Sequence, residues 1–238
     1  MRILVVEPLP AVARSIELML KSEGMYAYTT DSGEEAIDLA KLYDYDLMTL
    51  ELKLPDMSGF DVIRQLAIAK CKTPIMVISC VKHIKDKVMS LGLGAADHME
   101  KPFHKDELVA RILALVRRCN GYAGSQLDAG MLRMDMHLRT LRVKNGKNYR
   151  AVSLTWKEYQ IMEILMLRAG KTCSKGMILN HLYGGFDDPE EKIVDVFMCK
   201  LRKKLAAAGA PDAIETVWGR GVVIRPDIPT LKECLERA

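Results

Sequence analysis

The run DLMTL, from Asp46 to Leu50, decides the first half of the fold. It is short and apolar, and the polar residues Asp46 and Glu51 bound it. The runs ILVV, from Ile3 to Val6, and PIMVIS, from Pro74 to Ser79, have the same character. Strands that are covered on both faces of a parallel sheet read as such continuous apolar runs. The three runs therefore predict buried parallel strands.

Amphipathic stretches separate these runs, so that strands and helices alternate from Met1 to about Cys119. Weaker strands are predicted at YAYTT near Tyr26 and at DHMEK near Met99. Helical periodicity covers five ranges: 11–22, 33–43, 59–69, 83–91 and 104–118. This alternation predicts an α/β fold, a doubly wound five-stranded parallel sheet, with its site at the carboxyl ends of the central strands.

A second domain follows a break in the periodicity. The segment NGYAGSQ, residues 120–126, contains glycine and serine and is predicted to be a linker. The predicted boundaries are a first domain over 1–119, a second domain over 127–228 and a C-terminal tail over 229–238. Leu231 and Leu235 lie on one helical face of the tail, which leaves open whether it docks or frays.

The second domain has the parts of a winged helix-turn-helix. Residues 127–154 alternate like short antiparallel strands, with Asn145-Gly146 as a hairpin turn. Three helical runs follow: 155–168, 174–183 and about 189–207. The segment IETVWGRGVVIR, residues 214–225, reads as two strands around a glycine-containing turn. Three helices followed by a hairpin predict the winged helix.

Composition limits the class of protein. No stretch of the 238 residues approaches the roughly 18 to 20 apolar residues of a membrane span, and MRILVVEPLP does not read as a signal peptide. We therefore expect a cytoplasmic protein without a membrane partner. The six cysteines are scattered without metal-ligand spacing, so we expect reduced thiols and no metal or cofactor. The net charge of +4 does not by itself indicate nucleic acid.

The chain resembles the OmpR/PhoB family of response regulators over nearly its whole length. The stretches LPDMSG, KPFHKDE, VDVFMCKLRKKL and IETVWGRG carry the resemblance. It implies a receiver domain followed by a winged helix that binds double-stranded promoter DNA. The chain shows no nucleophile-base set or paired carboxylates, so we expect a transcription regulator and no enzyme.

The receiver's phosphorylation chemistry departs from the family. The resemblance implies a phosphoacceptor aspartate after the third strand and two acidic residues after the first strand, which together hold Mg²⁺. Here the acceptor position is Glu51, and Pro8 and Leu9 replace the acidic pair, which leaves Glu7 as the nearby carboxylate. A hard cation needs several oxygen ligands, so we predict no useful magnesium site.

Two other family positions are retained. The resemblance assigns Lys101 to the lysine that contacts the phosphoryl group and Ser79 to the hydroxyl residue that ends the fourth strand. Glu51 is one methylene longer than aspartate, so it could reach Lys101 and Ser79 and imitate the phosphorylated state. Alternatively, Glu51 pairs with Lys101 as a structural salt bridge in a receiver that is locked, scaffold-like or switched by another signal.

The resemblance also implies a homodimer through the fourth helix, fifth strand and fifth helix, with ion pairs between subunits. The matching positions are Lys87, Asp97, Glu107, Arg111 and Arg118. His98 occupies the position of the family's aromatic switch residue. It could titrate near neutral pH as a sensor, or it could be an exposed and merely solvated histidine.

The last helix of the three is the family's recognition helix. We expect an apolar stripe at Ile193, Val196, Leu201 and Leu205, with Phe197 in part, that anchors it. The family's DNA-contacting positions match Lys192, Asp195, Met198, Cys199, Lys200, Arg202 and Lys203. Lysines would contact phosphates, whereas Met198 and Cys199 would contact thymine methyl groups. A basic face that is merely solvated is the alternative.

The hairpin at the end of the domain is the family's wing. Arg220 at its tip is expected to enter the minor groove of A·T-rich DNA, and Trp218 is expected to pack beneath the wing. The stretch 180–190, NHLYGGFDDPE, matches the loop that touches RNA polymerase in relatives.

Two functions remain open from the sequence. One is a phosphorylation-independent regulator that binds direct-repeat promoter sites as a dimer. The other is an antagonist or scaffold, which competes with or pairs with a phosphorylatable paralogue.

Overall fold

A computed structural model describes residues 1–80, 83–183 and 190–226. The chain divides into two compact units, Met1–Cys119 and Asn120–Ala238. The predicted tail at 229–238 lies outside the described residues. Within the described ranges, no helix is both long enough and apolar enough to span a bilayer.

The first unit contains the predicted doubly wound sheet. Its five parallel strands lie in the order β2-β1-β3-β4-β5. The strands are β1 Arg2–Val6, β2 Tyr26–Thr30, β3 Leu47–Leu50, β4 Ile75–Ser79 and β5 Asp97–Glu100. The helices are α1 Pro10–Ser22, α2 Gly33–Leu42, α3 Gly59–Ile68, α4 Ile84–Leu93 and α5 Lys105–Cys119. The prediction of five strands and five helices in this unit is confirmed.

The central strands are apolar because both of their faces are covered. Every residue of β3 and β4 is buried, and together with Ile3, Leu4 and Val5 of β1 they fill the core between the helical layers. Sequence order reverses at β1, from which the chain goes first to β2 and later to β3 on its other side. The crevice at such a reversal, beyond the carboxyl strand ends, is where a doubly wound sheet places its site.

Asp56, in the loop after β3, caps helix α2. Its carboxylate accepts hydrogen bonds from the backbone N–H groups of Gly33 and Glu34 at 3.0 Å and from the Ser32 hydroxyl at 2.9 Å. Desolvation opposes ionisation of Asp56, but these hydrogen bonds outweigh it and lower the pKa of Asp56 to about 2. The loop that begins with Glu51 is thereby tied to a neighbouring helix.

The second unit begins with a four-stranded antiparallel sheet, in the order β6-β7-β8-β9. These strands are β6 Gln126–Ala129, β7 Leu132–Asp135, β8 Thr140–Asn145 and β9 Asn148–Val152. The predicted hairpin turn joins β8 and β9, but its two central residues are Gly146 and Lys147, because Asn145 still pairs with Asn148 in the sheet. Strand β6 starts at Gln126, so the last residue of the predicted linker is already in the sheet.

Three helices and a hairpin complete this unit, as the winged-helix prediction requires. They are α6 Trp156–Leu167, α7 Lys175–Tyr183, α8 Lys192–Ala208, β10 Glu215–Val217 and β11 Gly221–Val223. Residues 158–167 of α6 are all buried, so this helix forms the centre of the unit. The Thr155 backbone N–H donates to the Glu158 carboxylate at 2.8 Å, which closes the predicted capping box at its start.

Strand β11 is fixed against the residues that precede α7. The backbone N–H of Cys173 donates to the carbonyl of Val222 at 2.8 Å, and that of Val222 donates to the carbonyl of Cys173 at 2.9 Å. Gly221 has a φ of +133°, and a Cβ atom there would lie 2.0 Å from the carbonyl oxygen of Cys173. A glycine is therefore required where the wing meets the helical core.

Candidate functional site

Four polar side chains meet at the carboxyl ends of the parallel strands. Glu7 follows β1, Glu51 follows β3, Ser79 ends β4 and Lys101 follows β5. All four side chains are buried or nearly so, and we call them the strand-end cluster. The sheet places them together because its parallel strands end on the same edge.

Lys101 is the centre of the strand-end cluster. Its ammonium donates to Oε2 of Glu51 at 2.8 Å and to Oε2 of Glu7. Burial alone would lower the pKa of Lys101, but the hydrogen bonds from Lys101 to Glu51 and Glu7 outweigh burial and raise it. Lys101 is thus held in its charged form by two carboxylates that come from two different strands.

The second carboxylate oxygen of Glu51 is also occupied. Oε1 accepts a hydrogen bond from the hydroxyl of Ser79 at 2.5 Å and another from the backbone N–H of Leu52 at 2.7 Å. Burial would raise the pKa of Glu51, but the hydrogen bonds from Lys101 and Ser79 lower it. Glu51 is therefore a fixed negative charge that engages Lys101 and Ser79 together.

Close packing holds the Glu51 backbone in place. Gly59, at the start of α3, donates its N–H to the carbonyl of Leu52 at 2.8 Å. A Cβ atom on Gly59 would lie 2.7 Å from the carbonyl oxygen of Glu51, so a larger residue would displace the loop.

The cluster does not fit a divalent cation. Both carboxylates already bind the Lys101 ammonium, and a cation would have to compete with that charge. Pro8 has no side-chain ligand to offer, and Leu9 is exposed and presents only its backbone N–H, which donates to Oε1 of Glu7 at 3.1 Å. Across residues 1–80, 83–183 and 190–226, no three His, Cys, Asp or Glu side chains are grouped as metal ligands.

Four residues of the predicted dimer face take part in ion pairs, namely Lys87, Asp97, Glu107 and Arg111. Arg111 contacts Asp97 at 2.9 Å and Glu107 at 2.8 Å. Lys87 lies 3.8 Å from Glu100, and Arg118 is exposed at the end of α5. Helix α4 also exposes four apolar side chains: Ile84, Val88, Met89 and Leu91.

His98 is not the exposed, solvated histidine that the sequence suggested. It is only 4% exposed, and its Nδ1 lies 3.1 Å from the hydroxyl of Ser90 on α4. The Ser90 hydroxyl itself donates to the carbonyl of Lys87 at 2.9 Å, which leaves Nδ1 as the donor to Ser90. Burial, and then the charge of Lys87, lower the pKa of His98, so it is neutral at neutral pH.

Helix α8 is anchored in part by the predicted stripe, since Leu201 and Leu205 are fully buried and Ile193 and Phe197 are partly buried. Its buried residues are Val194, Met198, Leu201, Leu205 and Ala208. Met198 is only 3% exposed, so the prediction that its side chain contacts thymine was wrong. Val196, which was expected to anchor the helix, is 51% exposed. Sequence reasoning missed Val194 and Met198 as anchors and included Val196, because apolar residues adjoin one another in the first half of the helix.

The exposed ridge of α8 consists of Lys192, Asp195, Val196, Cys199, Lys200 and Lys203. The spacing of three and four residues places these side chains on one face of the helix. Asp195 pairs with Lys175 of α7 at 2.7 Å. The ridge thus combines four basic or acidic side chains with two small apolar ones, Val196 and Cys199, and Val196 is the residue that sequence reasoning missed.

Two cations of the basic stretch have structural partners instead. Arg202 donates to the carbonyl of Ile214 at 3.2 Å and to the hydroxyl of Thr216 at 2.7 Å, so it ties α8 to the wing. Lys204 pairs with the buried Glu158 of α6 at 2.6 Å. Arg202 therefore links two elements of the unit, and its contact with DNA stays a prediction.

The wing presents two large side chains at its tip. Arg220 is exposed, as expected for a residue that reaches a groove of DNA. Trp218 is 92% exposed, so the prediction that it packs under the wing was wrong. The predicted polymerase loop falls mostly outside the described residues, because these omit 184–189.

Comparisons with known proteins agree with this architecture. Residues 3–113 match the response regulator receiver domain, and residues 146–224 match the C-terminal domain of transcriptional regulatory proteins. The cell cycle response regulator CtrA of Brucella anthropi is 56% identical over 234 residues, which cover 98% of this chain and 99% of that protein. The chain belongs to the CtrA family of OmpR/PhoB-type response regulators. CtrA of Brucella ovis has the same identity and coverage.

Solved structures include other response regulators. DrrB, an OmpR/PhoB homologue from Thermotoga maritima, is 23% identical, covers 94% of this chain and 98% of its own, and gives a TM-score of 0.45. A Francisella receiver domain is 26% identical over 49% of this chain and 97% of its own, with a TM-score of 0.47. Membership of the CtrA family makes this chain a response regulator with a DNA-binding domain, which supports a role in transcription regulation.

Proposed function

We propose that this CtrA-like chain is a phosphorylation-independent transcription regulator, in which Glu51 replaces the phosphorylated aspartate. The observation that carries the proposal is the Glu51 carboxylate, which holds the ammonium of Lys101 and the hydroxyl of Ser79 at the same time. If Glu51 formed only a structural salt bridge, Lys101 would be the one partner it needs. Glu51 also accepts a hydrogen bond from Ser79, which favours imitation of the phosphorylated state.

The state of His98 supports the same proposal. Ser79 ends β4 and is paired in register with Glu100 of β5, two residues from His98. With Ser79 drawn to Glu51, His98 lies buried against Ser90 of α4. The output face, formed by α4, β5 and α5, is thereby fixed without a phosphoryl group.

We further propose that this output face forms a homodimer, so that two winged helices bind a direct-repeat promoter site. The exposed apolar side chains of α4 and the exposed Arg118 of α5 support it. Lys87, Asp97, Glu107 and Arg111 would then set the register of the interface more than its strength, because exposed ion pairs contribute only about 0 to 1 kcal/mol.

On DNA, the ridge of α8 would enter the major groove. Lys192, Lys200 and Lys203 would contact phosphates and make binding dependent on salt. Cys199 would contact thymine methyl groups, as the sequence predicted, and Val196 would take the same role in place of the buried Met198. Arg220 would reach into the minor groove, which is most electronegative in A·T-rich DNA. RNA polymerase is the partner expected for an activator.

The variant Glu51→Gln tests the proposal, because it keeps the size of the side chain and removes its charge. We expect its affinity for a direct-repeat duplex to fall about five- to a hundredfold, the usual range of coupling between two sites. Glu17→Gln on the surface of α1 is the matched control. If Glu51→Gln melts as a folded protein and binds DNA as tightly as the control, Glu51 does not hold the active state.

Transcription from purified polymerase separates an activator from the antagonist. An activator raises promoter output in the absence of a phosphodonor. An antagonist lowers the output that a phosphorylated paralogue produces on the same promoter.

A further inference from the structure

Strands β8 and β9 and the start of α6 form a stretch of the second unit that carries cations but no acidic residue. No aspartate or glutamate lies between Asp135 and Glu158 in the sequence, whereas six lysines and arginines do: Arg139, Arg142, Lys144, Lys147, Arg150 and Lys157. Such a stretch has a positive local potential and favours an anionic partner. It belongs to different elements from the α8 ridge and the wing, which the proposed function assigns to DNA.

The β8–β9 hairpin turns three of these cations to solvent. Leu141 and Val143 of β8 are buried. Arg142 and Lys144 alternate with them and are exposed on the opposite face of the strand, and Lys147 is exposed in the turn that follows. We call Arg142, Lys144 and Lys147 the basic sheet face. Among the residues that the structure describes, no ion pair involves any of the three.

A groove opens beside the basic sheet face, where β9 leads into α6. Its volume of about 380 Å³ is within the usual range of ligand pockets. Its lining includes Thr140, Ala151, Ser153 and Trp156. Ala151 lies directly opposite Arg142 in the register of the two strands, so the groove continues into the basic sheet face.

Trp156 gives this groove an aromatic edge. Its ring stacks on the buried Tyr159 with centroids 5.5 Å apart, and the Arg139 guanidinium lies over the ring at 4.9 Å. Because these contacts cover both faces of the ring, a nucleic-acid base could stack on Trp156 only by displacing one of them. Trp156 still leaves 42% of its surface exposed, so an apolar side chain can pack against its edge.

The hydroxyl of Thr140 indicates what else a ligand must offer. Its oxygen is shielded from solvent and has no hydrogen-bond partner within the described ranges of the chain. A shielded hydroxyl without a partner is destabilising. A peptide in the groove supplies backbone N–H and carbonyl groups that could bind this hydroxyl, whereas a DNA duplex is too broad to enter.

We propose that the groove and the basic sheet face together bind an acidic peptide segment of a partner protein. One apolar side chain of the peptide occupies the groove beside Trp156, and its carboxylates contact the basic sheet face. Carboxylates at alternate positions fit, because residues two apart are separated by about 7 Å both in β8 and in an extended peptide. The proposal goes beyond the proposed function and depends neither on Glu51 nor on DNA binding.

Tryptophan fluorescence of the full chain tests the groove directly. In the variant Trp218→Phe, Trp156 is the one remaining tryptophan, because the sequence contains two. The probe is the synthetic peptide Ser-Gly-Phe-Ser-Asp-Ser-Asp-Ser-Asp-Ser. We expect it to change the emission of Trp156 and to weaken quenching by acrylamide. An unchanged spectrum and unchanged quenching at about 1 mM peptide would overturn the proposal.

Charge variants test the basic sheet face. Combining Arg142→Gln, Lys144→Gln and Lys147→Gln is expected to weaken binding of the fluorescein-labelled peptide about five- to fiftyfold, because three exposed ion pairs are lost. The matched control changes three exposed lysines of the first unit to glutamine and should bind as tightly as the unaltered chain; these lysines are Lys21, Lys41 and Lys72. Equal losses in both variants would show attraction by overall charge alone and contradict the proposal.

The variant Thr140→Val separates a ligand contact from a structural role. Removing this hydroxyl should keep or raise thermal stability but weaken peptide binding about two- to tenfold. An unchanged affinity for the peptide would contradict its proposed position in the groove.

Two further outcomes would assign the site to another occupant and overturn the proposal. Weaker quenching of Trp156 without peptide, as the protein concentration rises, would indicate a second copy of this chain. Displacement of the labelled peptide by a single-stranded oligonucleotide of equal charge, at a lower concentration than the unlabelled peptide requires, would indicate nucleic acid.

Discussion

Lys101 is the single residue on which the receiver pocket depends. One ammonium serves two buried carboxylates, from Glu7 and Glu51, on separate strands. Placing a charge in a protein interior costs several kcal/mol unless it is paired, so removing the shared cation leaves two uncompensated charges. The pocket is therefore a strong structural constraint as well as a candidate switch.

Replacing Lys101 by methionine is expected to lower the free energy of unfolding by about 3 to 5 kcal/mol at pH 7. Chemical denaturation of the full chain measures this change. Lys105→Met is the matched control, because Lys105 makes a partly exposed pair with Glu23 at 2.7 Å. Loss of the pair between Lys105 and Glu23 should lower the free energy of unfolding by about 1 kcal/mol or less.

The pH dependence of the same variant has a defined sign. In the unaltered chain the pKa of Glu51 lies below its ordinary 4.5, so its contribution is present above that value and lost in acid. The pKa of Lys101 lies above its ordinary 10.5, so its contribution is present below that value and lost in stronger base. Without the ammonium, burial raises the pKa of Glu51. Lys101→Met should therefore lose stability as the pH rises from 5 to 8, and a flat profile would contradict the pairing.

The contacts of Glu51 were expected from the resemblance to the response regulator family, which assigns Ser79 and Lys101 to positions around the acceptor. The sheet explains why they meet, because Glu51, Ser79 and Lys101 each follow or end a parallel strand. Trp218 could not be placed in this way. Whether a residue beside a turn folds under a hairpin or away from it depends on packing that no local pattern encodes.

Helix α8 illustrates the same limit at the scale of an element. Its existence and its C-terminal end follow from the sequence, whereas its start at Lys192 lies later than the predicted 189. Gly209 at its C-terminus adopts the left-handed conformation typical of a helix stop. Its rotation does not follow, because Ile193, Val194, Val196 and Met198 offer two apolar stripes with helical spacing. The packing partners in the unit select the stripe that contains Val194 and Met198.

This rotation predicts opposite effects for two neighbouring substitutions. Met198→Ala removes a buried side chain and should lower the free energy of unfolding by about 2 to 5 kcal/mol. Val196→Ala should change stability by about 0.5 kcal/mol or less but weaken binding to a promoter duplex. Thermal denaturation and anisotropy distinguish the two. If Met198→Ala is as stable as the unaltered chain but binds DNA weakly, Met198 faces DNA, as the sequence first predicted.

The whole molecule was predictable at the level of its architecture. The alternation of strands and helices, and then the sequence of three helices and a hairpin, were sufficient for both folds. The domain boundaries, the dimer and the direct-repeat site stay predictions. The receiver departs from the pattern expected of the response regulator family at the positions where magnesium and phosphate would be handled, which here are Glu51, Pro8 and Leu9.

One binding experiment tests whether Glu51 replaces the phosphorylated aspartate. Fluorescence anisotropy measures the affinity of the full chain for an A·T-rich direct-repeat duplex, with and without Mg²⁺ and a small-molecule phosphodonor. A variant that combines Pro8→Asp, Leu9→Asp and Glu51→Asp provides the matched control, since it restores carboxylates for a cation and an acceptor. We expect the unaltered chain to bind tightly in both conditions and the variant to gain affinity with the donor. If the unaltered chain binds only after the donor is added, another residue accepts phosphate and the account of Glu51 is wrong.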